Sequence, residues 1–334
     1  MTVNILKYFI ATITAISLVS SCKTIDIDAP MTETMPAIEF SNVSTKATVD
    51  SVKTNGFGVW ALISNSEVEN KVLMENQYVK YNDGKWVYSP LRYWLPETEF
   101  NFIATYPYDQ NGKYYTFDSE NSAVKLTVNE TPSEKDFLMA TNMTDTSVEG
   151  FSETVDLQFR HVLTSVGLNI WRDGGKHQND QMRIKKVTLS NIRKGGTYNS
   201  TDLWTPSNEK LSLEKEYEES SANIGAAVVQ GGGTLTTGGE PADPFSEVML
   251  IPQTMDASNK VSLKIHYQLK MHDGEDKWEN VEMEAELPYG TWEPNRRYMY
   301  NVVLSSVKDI TFYYIQTKIS PWGAPQVGGT IIIK

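Results

Sequence analysis

The chain carries a single cysteine, and its neighbours say what that sulfur can do. Cys22 follows Val19-Ser20-Ser21, at the end of an apolar and hydroxylated run, Ile5–Val19, behind a start whose one charge is Lys7. A charged start, a short apolar core and small residues at the end form the pattern of an export signal. The run is too short to cross a bilayer of roughly 30 Å as a helix. Its end resembles the bacterial lipobox, in which the cysteine sulfur is acylated and the cysteine becomes the first residue. The expectation is a signal over 1–21 and lipidation at Cys22. One cysteine also leaves no intramolecular disulfide and no cysteine-based zinc site.

Other chemistry finds little support. His161, His177, His266 and His272 stand in no metal-ligand spacing. His161, after Phe159-Arg160, reads as a structural histidine at a strand junction, and His266 lies on the polar face of an expected strand. There is no Gly-x-Ser-x-Gly elbow and no lysine-bearing phosphate loop. Gly56-Phe57-Gly58 and Gly231-Gly232-Gly233 read as turns. Asp26 with Asp28, and Asp273 with Asp276, do not match a twelve-residue calcium loop. The paired carboxylates of a glycosidase meet only in space, so 42 acidic residues carry no specific signal. The expectation is no enzyme, no metal and no cofactor. A formal charge of −12 argues against nucleic acid and against a polybasic membrane patch. Aromatic residues cluster at Trp86, Tyr88, Tyr93 and Trp94, and at Tyr106, Tyr108, Tyr114 and Tyr115. Exposed rings bind sugar faces, whereas buried rings fill the core of a β protein. Both readings stay open here.

The elements that position these residues are strands. Val261, Leu263, Ile265, Tyr267, Leu269 and Met271 alternate with Ser262, Lys264, His266, Gln268 and Lys270, which is the period of a half-buried strand. A turn at 272–276 leads into a return strand through Trp278, Val281, Met283, Ala285 and Leu287, with an irregularity expected near Asn280. Its outward Glu282, Glu284 and Glu286 face the lysines of the first strand. Further strands are expected at Gly58–Ser64, Glu99–Tyr106, Val124–Val128, Thr154–Phe159, Leu163–Trp171, Ile184–Ile192, Val248–Ile251, Tyr298–Ser305 and Ile310–Ile319. No long stripe of period 3.6 occurs, although the charged Ser212–Ser221 suits a short helix. Gln230–Pro244 and Thr141–Ser152 read as flexible loops, and the second places a domain boundary near residue 150. The chain thus reads as all-β, with a leader over 22–46 and domains over 47–150 and 151–334. Within the leader, Ala37–Val43 reads as a short strand with Ile38 and Phe40 on one face. At the other end Gly328-Gly329 followed by Thr330-Ile331-Ile332-Ile333 reads as a hinge and a strand.

Four places in this order resemble the fimbrillin-like proteins of Bacteroidetes, the subunits of lipoprotein-derived (type V) pili. The lipobox is followed by Ile38-Glu39-Phe40-Ser41, Ser44-Thr45-Lys46-Ala47-Thr48 and Phe57-Gly58-Val59-Trp60. Tyr93-Trp94 leads to Phe100–Tyr108. Asp136-Phe137-Leu138-Met139-Ala140 precedes Val155–Leu163. Pro288-Tyr289-Gly290-Thr291-Trp292-Glu293-Pro294-Asn295 runs into Tyr298–Leu304, with Ser320-Pro321-Trp322 near the end. The resemblance implies two tandem β-sandwich-like domains and export as a lipoprotein to the outer membrane. It implies maturation by a trypsin-like protease at Lys46-Ala47, where family members often carry arginine. It further implies assembly with other subunits into a surface fimbrium by donor-strand exchange. The removable strand would hold Ile38 and Phe40, and the donor would hold Trp322, Thr330, Ile331, Ile332 and Ile333. The alternative is a surface lipoprotein or tip adhesin that binds glycan or host protein through exposed aromatics. The lipidation reading is tested by Cys22→Ala, which should abolish fatty-acid labelling and release the protein from membrane fractions; unchanged retention without any label contradicts it.

Overall fold

A computed structural model describes residues 35–45, 49–69, 71–175, 178–201, 203–218, 223–229, 235–304, 310–317 and 327–332. The expected alternation is realised along most of this length. In chain order the first part forms β1 (Glu39–Thr45), α1 (Val49–Asn55), β2 (Phe57–Ser64), β3 (Lys71–Asn82), β4 (Lys85–Val87), β5 (Glu99–Tyr106), β6 (Tyr115–Asp118), β7 (Ala123–Val128), β8 (Leu138–Asp145) and β9 (Thr154–His161). The rest forms β10 (Thr164–Asp173), β11 (Gln181–Arg193), β12 (Gly196–Asn199), β13 (Leu203–Pro206), β14 (Lys210–Glu216), β15 (Ala226–Val229), β16 (Leu235–Gly238) and β17 (Ala242–Leu250). It ends with β18 (Gln253–Met255), β19 (Ser262–Lys270), β20 (Glu279–Glu286), β21 (Gly290–Trp292), β22 (Arg297–Leu304), β23 (Ile310–Thr317) and β24 (Val327–Ile332).

The strands build two β-sandwich-like pairs of sheets. The first sheet runs β1-β9-β8-β5-β2-β3-β4, and a second, β13-β12-β7-β6, covers one of its faces. Trp60, Leu62, Ile103 and Met139 of the first sheet meet Tyr115, Val124, Leu126 and Tyr198 of the second. The third sheet runs β16-β15-β10-β22-β23-β24, with β17 also paired to β10, and it faces a fourth, β14-β11-β19-β20. Val166, Leu168, Tyr298 and Tyr300 there pack on Val187, Leu189, Leu263 and Ile265. Each such side chain gains about 1.5–3 kcal/mol on burial, which holds the sheets face to face.

The β19–β20 hairpin has the register its alternation demands. Ile265 lies opposite Met283 and Lys264 opposite Glu284, and Lys264 pairs with Glu282 and Glu284 at 3.2 and 3.5 Å. No irregularity occurs at Asn280, which lies opposite Gln268 in an unbroken ladder. The break in alternation arises because Trp278 precedes the strand and stacks under Arg183, 4.2 Å from its ring centre. Ser212–Ser221 begins inside strand β14 rather than a helix: Leu211 and Leu213 pack against the third-and-fourth-sheet core while Ser212 and Glu214 face out. The stretch Gln230–Pro244 contains β16 and the start of β17, and 230–234 lie outside the described residues.

The boundary expected near residue 150 separates β8 from β9, which are hydrogen-bonded neighbours. The polar stretch Thr141–Ser152 is the outer end of β8 and a turn. Its side chains are polar because that end of the sheet is exposed. The chain changes sheet after His161, where Val162 and Leu163 enter the first sandwich core. The two halves are also interlocked. β12 and β13 come from the second half yet complete the second sheet, with Gly196 opposite Val128 and Asn199 opposite Lys125. Gly195 permits this approach, since a Cβ there would lie 2.4 Å from the Val128 carbonyl oxygen. The Trp204 indole N–H donates to the Val162 carbonyl at 2.7 Å. Trp204→Ala should therefore cost on the order of 3 kcal/mol and lower a single thermal transition; a loss confined to one of two separate transitions would contradict the interlock.

Candidate functional site

The first strand occupies a slot with backbone partners on both sides. β1 is the edge of the first sheet and runs parallel to β9, with Glu39 opposite Thr154, Phe40 opposite Val155 and Ser41 opposite Asp156. An irregularity between Ser41 and Ser44 bends it, and Gln158 and Phe159 then lie opposite Ser44 and Thr45. On its other side the preceding residues meet the segment 92–94. Ile38 N–H donates to the Arg92 carbonyl at 2.9 Å, Trp94 N–H donates to the Pro36 carbonyl at 3.2 Å, and Ala37 bridges Tyr93. The first sheet curls, so that its two edge strands β1 and β4 approach one another. This curl closes the slot.

Alternation sends Ile38 and Phe40 inward, where they are 1% and 5% exposed, while Glu39 faces solvent. The Phe40 ring meets Phe57, Tyr88 and Phe102 edge-on, with centroids 6.1, 5.7 and 6.2 Å away. Edge-to-face packing suits the ring quadrupoles and adds about 0.5–1.5 kcal/mol per pair beyond burial. The cluster continues from Phe57 to Phe159 and from Phe102 to Trp94. Tyr88 holds this segment twice: its ring meets Phe40 of β1, and its hydroxyl donates to the carbonyl of Ile38, just before β1, at 2.9 Å. That hydroxyl also accepts the Arg92 N–H at 3.3 Å. Burial pushes the Tyr88 phenol up to about 12.

Helix α1 follows the slot and has holds of its own beyond β1. Val52 is buried, and Gly56, with φ +71°, caps the helix by donating its N–H to the Val52 carbonyl at 2.8 Å. The Tyr78 hydroxyl donates to the Asn55 carbonyl, and the Asn55 amide donates to the Tyr106 hydroxyl, both at 3.2 Å. Lys46 and Ala47, the expected cleavage site, lie outside the described residues, between the end of β1 and the start of α1. Cys22, Trp322 and Ile333 also lie outside them. Thr330, Ile331 and Ile332 belong to β24, the last strand of the third sheet. They stand opposite Ile315, Tyr314 and Tyr313 of β23, which in turn pairs with β22.

The aromatics considered for sugar binding divide. Trp94 is 0% exposed, packed on Phe100, Phe102 and Phe151, and its indole donates to the Glu153 carbonyl at 3.0 Å. Tyr115 is buried as well, and its hydroxyl donates to the Tyr106 carbonyl. Trp86 is half-buried between Phe57 and Tyr81, and Tyr93 is exposed on the lip of the slot. His161 ends β9, buried, with Nδ1 2.8 Å from Asp136. His266 stands on the outer face beside Glu282. The slot walls, Phe57, Tyr88, Arg92 and Phe102, carried no local signal in the sequence, because their shared neighbour is a strand up to 64 residues away.

Phe40→Ala in the full chain should lower stability by about 3–5 kcal/mol in urea unfolding, and Tyr88→Phe by about 1 kcal/mol. An unchanged midpoint for Phe40→Ala would contradict the slot. The Tyr88 contribution has a pH sign. Its folded pKa is raised, so the stabilisation is complete below about pH 10 and is lost as pH rises through about 12.

The family model for fimbrillin-like proteins matches residues 45–322. Among solved structures, a fimbrial protein from Bacteroides vulgatus is similar in fold, with a TM-score of 0.60 at 18% identity over 83% of this chain and 97% of that one. A candidate cell adhesion protein from Bacteroides ovatus gives a TM-score of 0.48 at 19% identity, over 86% and 99%. A fimbrial assembly protein from Parabacteroides distasonis gives 0.41 at 10%, over 84% and 94%. No curated protein matches the chain. The family match begins at the last residue of β1 and extends past β23, over most of the chain, so this protein is a member of the fimbrillin-like family.

Proposed function

We propose that the protein is a structural subunit of a surface fimbrium. It is exported as a lipoprotein, held in the outer membrane through Cys22, cut between Lys46 and Ala47, and joined to further subunits by replacement of β1. One observation carries this reading: β1 fills a slot that is paired on both sides and lined with aromatic rings, while α1, directly after the cleavage site, keeps hydrogen bonds to Tyr78 and Tyr106, which lie outside β1. Removing β1 strips the edge of β9 and uncovers Phe57 and Phe102. Unpaired strand edges next to apolar surface are templates for another chain. An incoming strand regains backbone hydrogen bonds and side-chain pockets together. The C-terminal end of another copy is the natural donor, because its strands lie at a sheet edge. The family match and the fimbrial neighbour in fold support the same role.

Binding of glycan or host protein through the tryptophans has less support, since Trp94 is wholly buried and Trp86 is packed between two rings. The test is Lys46→Ala expressed on the cell surface. Parent protein should give a ladder of heat-resistant multimers on a gel, and the variant should stay monomeric with its leader attached. A parent-like ladder from the variant contradicts cleavage-dependent assembly at this site.

A further inference from the structure

We infer that the side chains that enter the emptied slot are Ile310 and Phe312 of β23 from a second copy, rather than the isoleucines of the last strand. The inference rests on the strand-replacement reading above and specifies its ligand. The slot presents two pockets two residues apart along one face of a strand. The first takes an aliphatic side chain, Ile38, and the second takes an aromatic ring, since Phe40 lies edge-on to Phe57, Tyr88 and Phe102 at 5.7–6.2 Å. An aliphatic side chain fills less of that pocket and cannot reproduce the edge-to-face contacts.

The pattern Ile-x-Phe occurs twice in the chain, at Ile38-Glu39-Phe40 and at Ile310-Thr311-Phe312. The run Ile331-Ile332-Ile333 offers no ring. β23 begins at Ile310 and is already extended, hydrogen-bonded between β22 and β24. β22 keeps its parallel partner β10 over eight residues when the β23–β24 hairpin leaves. Laid in place of β1, Ile310 takes the Ile38 pocket and Phe312 takes the aromatic pocket. Thr311 then stands opposite Thr154, where Glu39 faces solvent, and Phe312 opposite Val155. The slot thereby selects for register as well as for strand character, because a shift of one residue turns the two side chains outward.

The test is disulfide trapping in the full chain, expressed in its own cells. One variant carries Thr154→Cys with Thr311→Cys, and two others carry Thr154→Cys with Ile331→Cys or with Ile332→Cys. Residues directly opposite across paired strands lie within disulfide reach. The inference predicts that the Thr154/Thr311 variant gives, after full heat dissociation, a ladder that disappears on reduction, at a yield roughly tenfold or more above the other two. A ladder from the Ile331 or Ile332 variant instead, or from all three equally, overturns the choice of β23 and leaves strand replacement standing. A reducible ladder from none of them, while the parent still forms heat-resistant multimers, overturns both.

Discussion

The proposed assembly rests on the seat of β1. Two side chains, Ile38 and Phe40, complete an aromatic core, and they reach it only because the backbone carrying them is paired on both sides. A buried backbone group without a partner costs as much as a lost hydrogen bond. With the slot empty, the β9 edge would be left to water and the aromatic rings uncovered. The slot's shape matches extended backbone with apolar groups at alternate positions, as Ile38 and Phe40 provide.

The remainder of the fold keeps the slot in shape and directs what fills it. α1 ties to β3 and β5 through Tyr78 and Tyr106, contacts that do not run through β1. The β12–β13 hairpin locks the second half of the chain into the first sandwich. One edge of the fourth sheet, β20, is acidic through Glu282, Glu284 and Glu286, while the other, β14, mixes Glu214 and Glu216 with Lys210 and Lys215. Lys186 and Lys264 on the inner strands pair with glutamates of these edges. Exposed pairs of this kind add at most about 1 kcal/mol each. The effect of the charge is on pairing: the row of glutamates along β20 opposes edge-to-edge contact between two copies of that edge. The aromatic lining of the slot, Phe57, Tyr88 and Phe102, carries no such row of like charges.

Much of this was legible in the residues, for reasons of range. β19 and β20 show strict alternation because one face is core and the other water, and Glu99–Tyr106 has the same bounds in sequence and structure. The inward direction of Ile38 and Phe40 was visible from period two alone. β14 was hidden because charges on its outer face mask a two-residue apolar stripe, Leu211 and Leu213. α1 is too short to show a helical period. What could not be read was non-local: that β1 runs parallel to a strand 115 residues away, and that Tyr198 and Trp204 belong to the first sandwich. Trp94 illustrates the same limit, since an aromatic cluster in sequence does not say which ring is buried.

The central claim is that the slot changes hands between copies. The most direct test is the N-terminal residue of the protein in surface multimers, read by mass spectrometry of bands cut from an unheated gel. Multimers that begin at Ala47, with the 22–46 leader present only in monomer, are the predicted result. Multimers whose subunits all begin at acylated Cys22, with β1 still attached, would contradict the account.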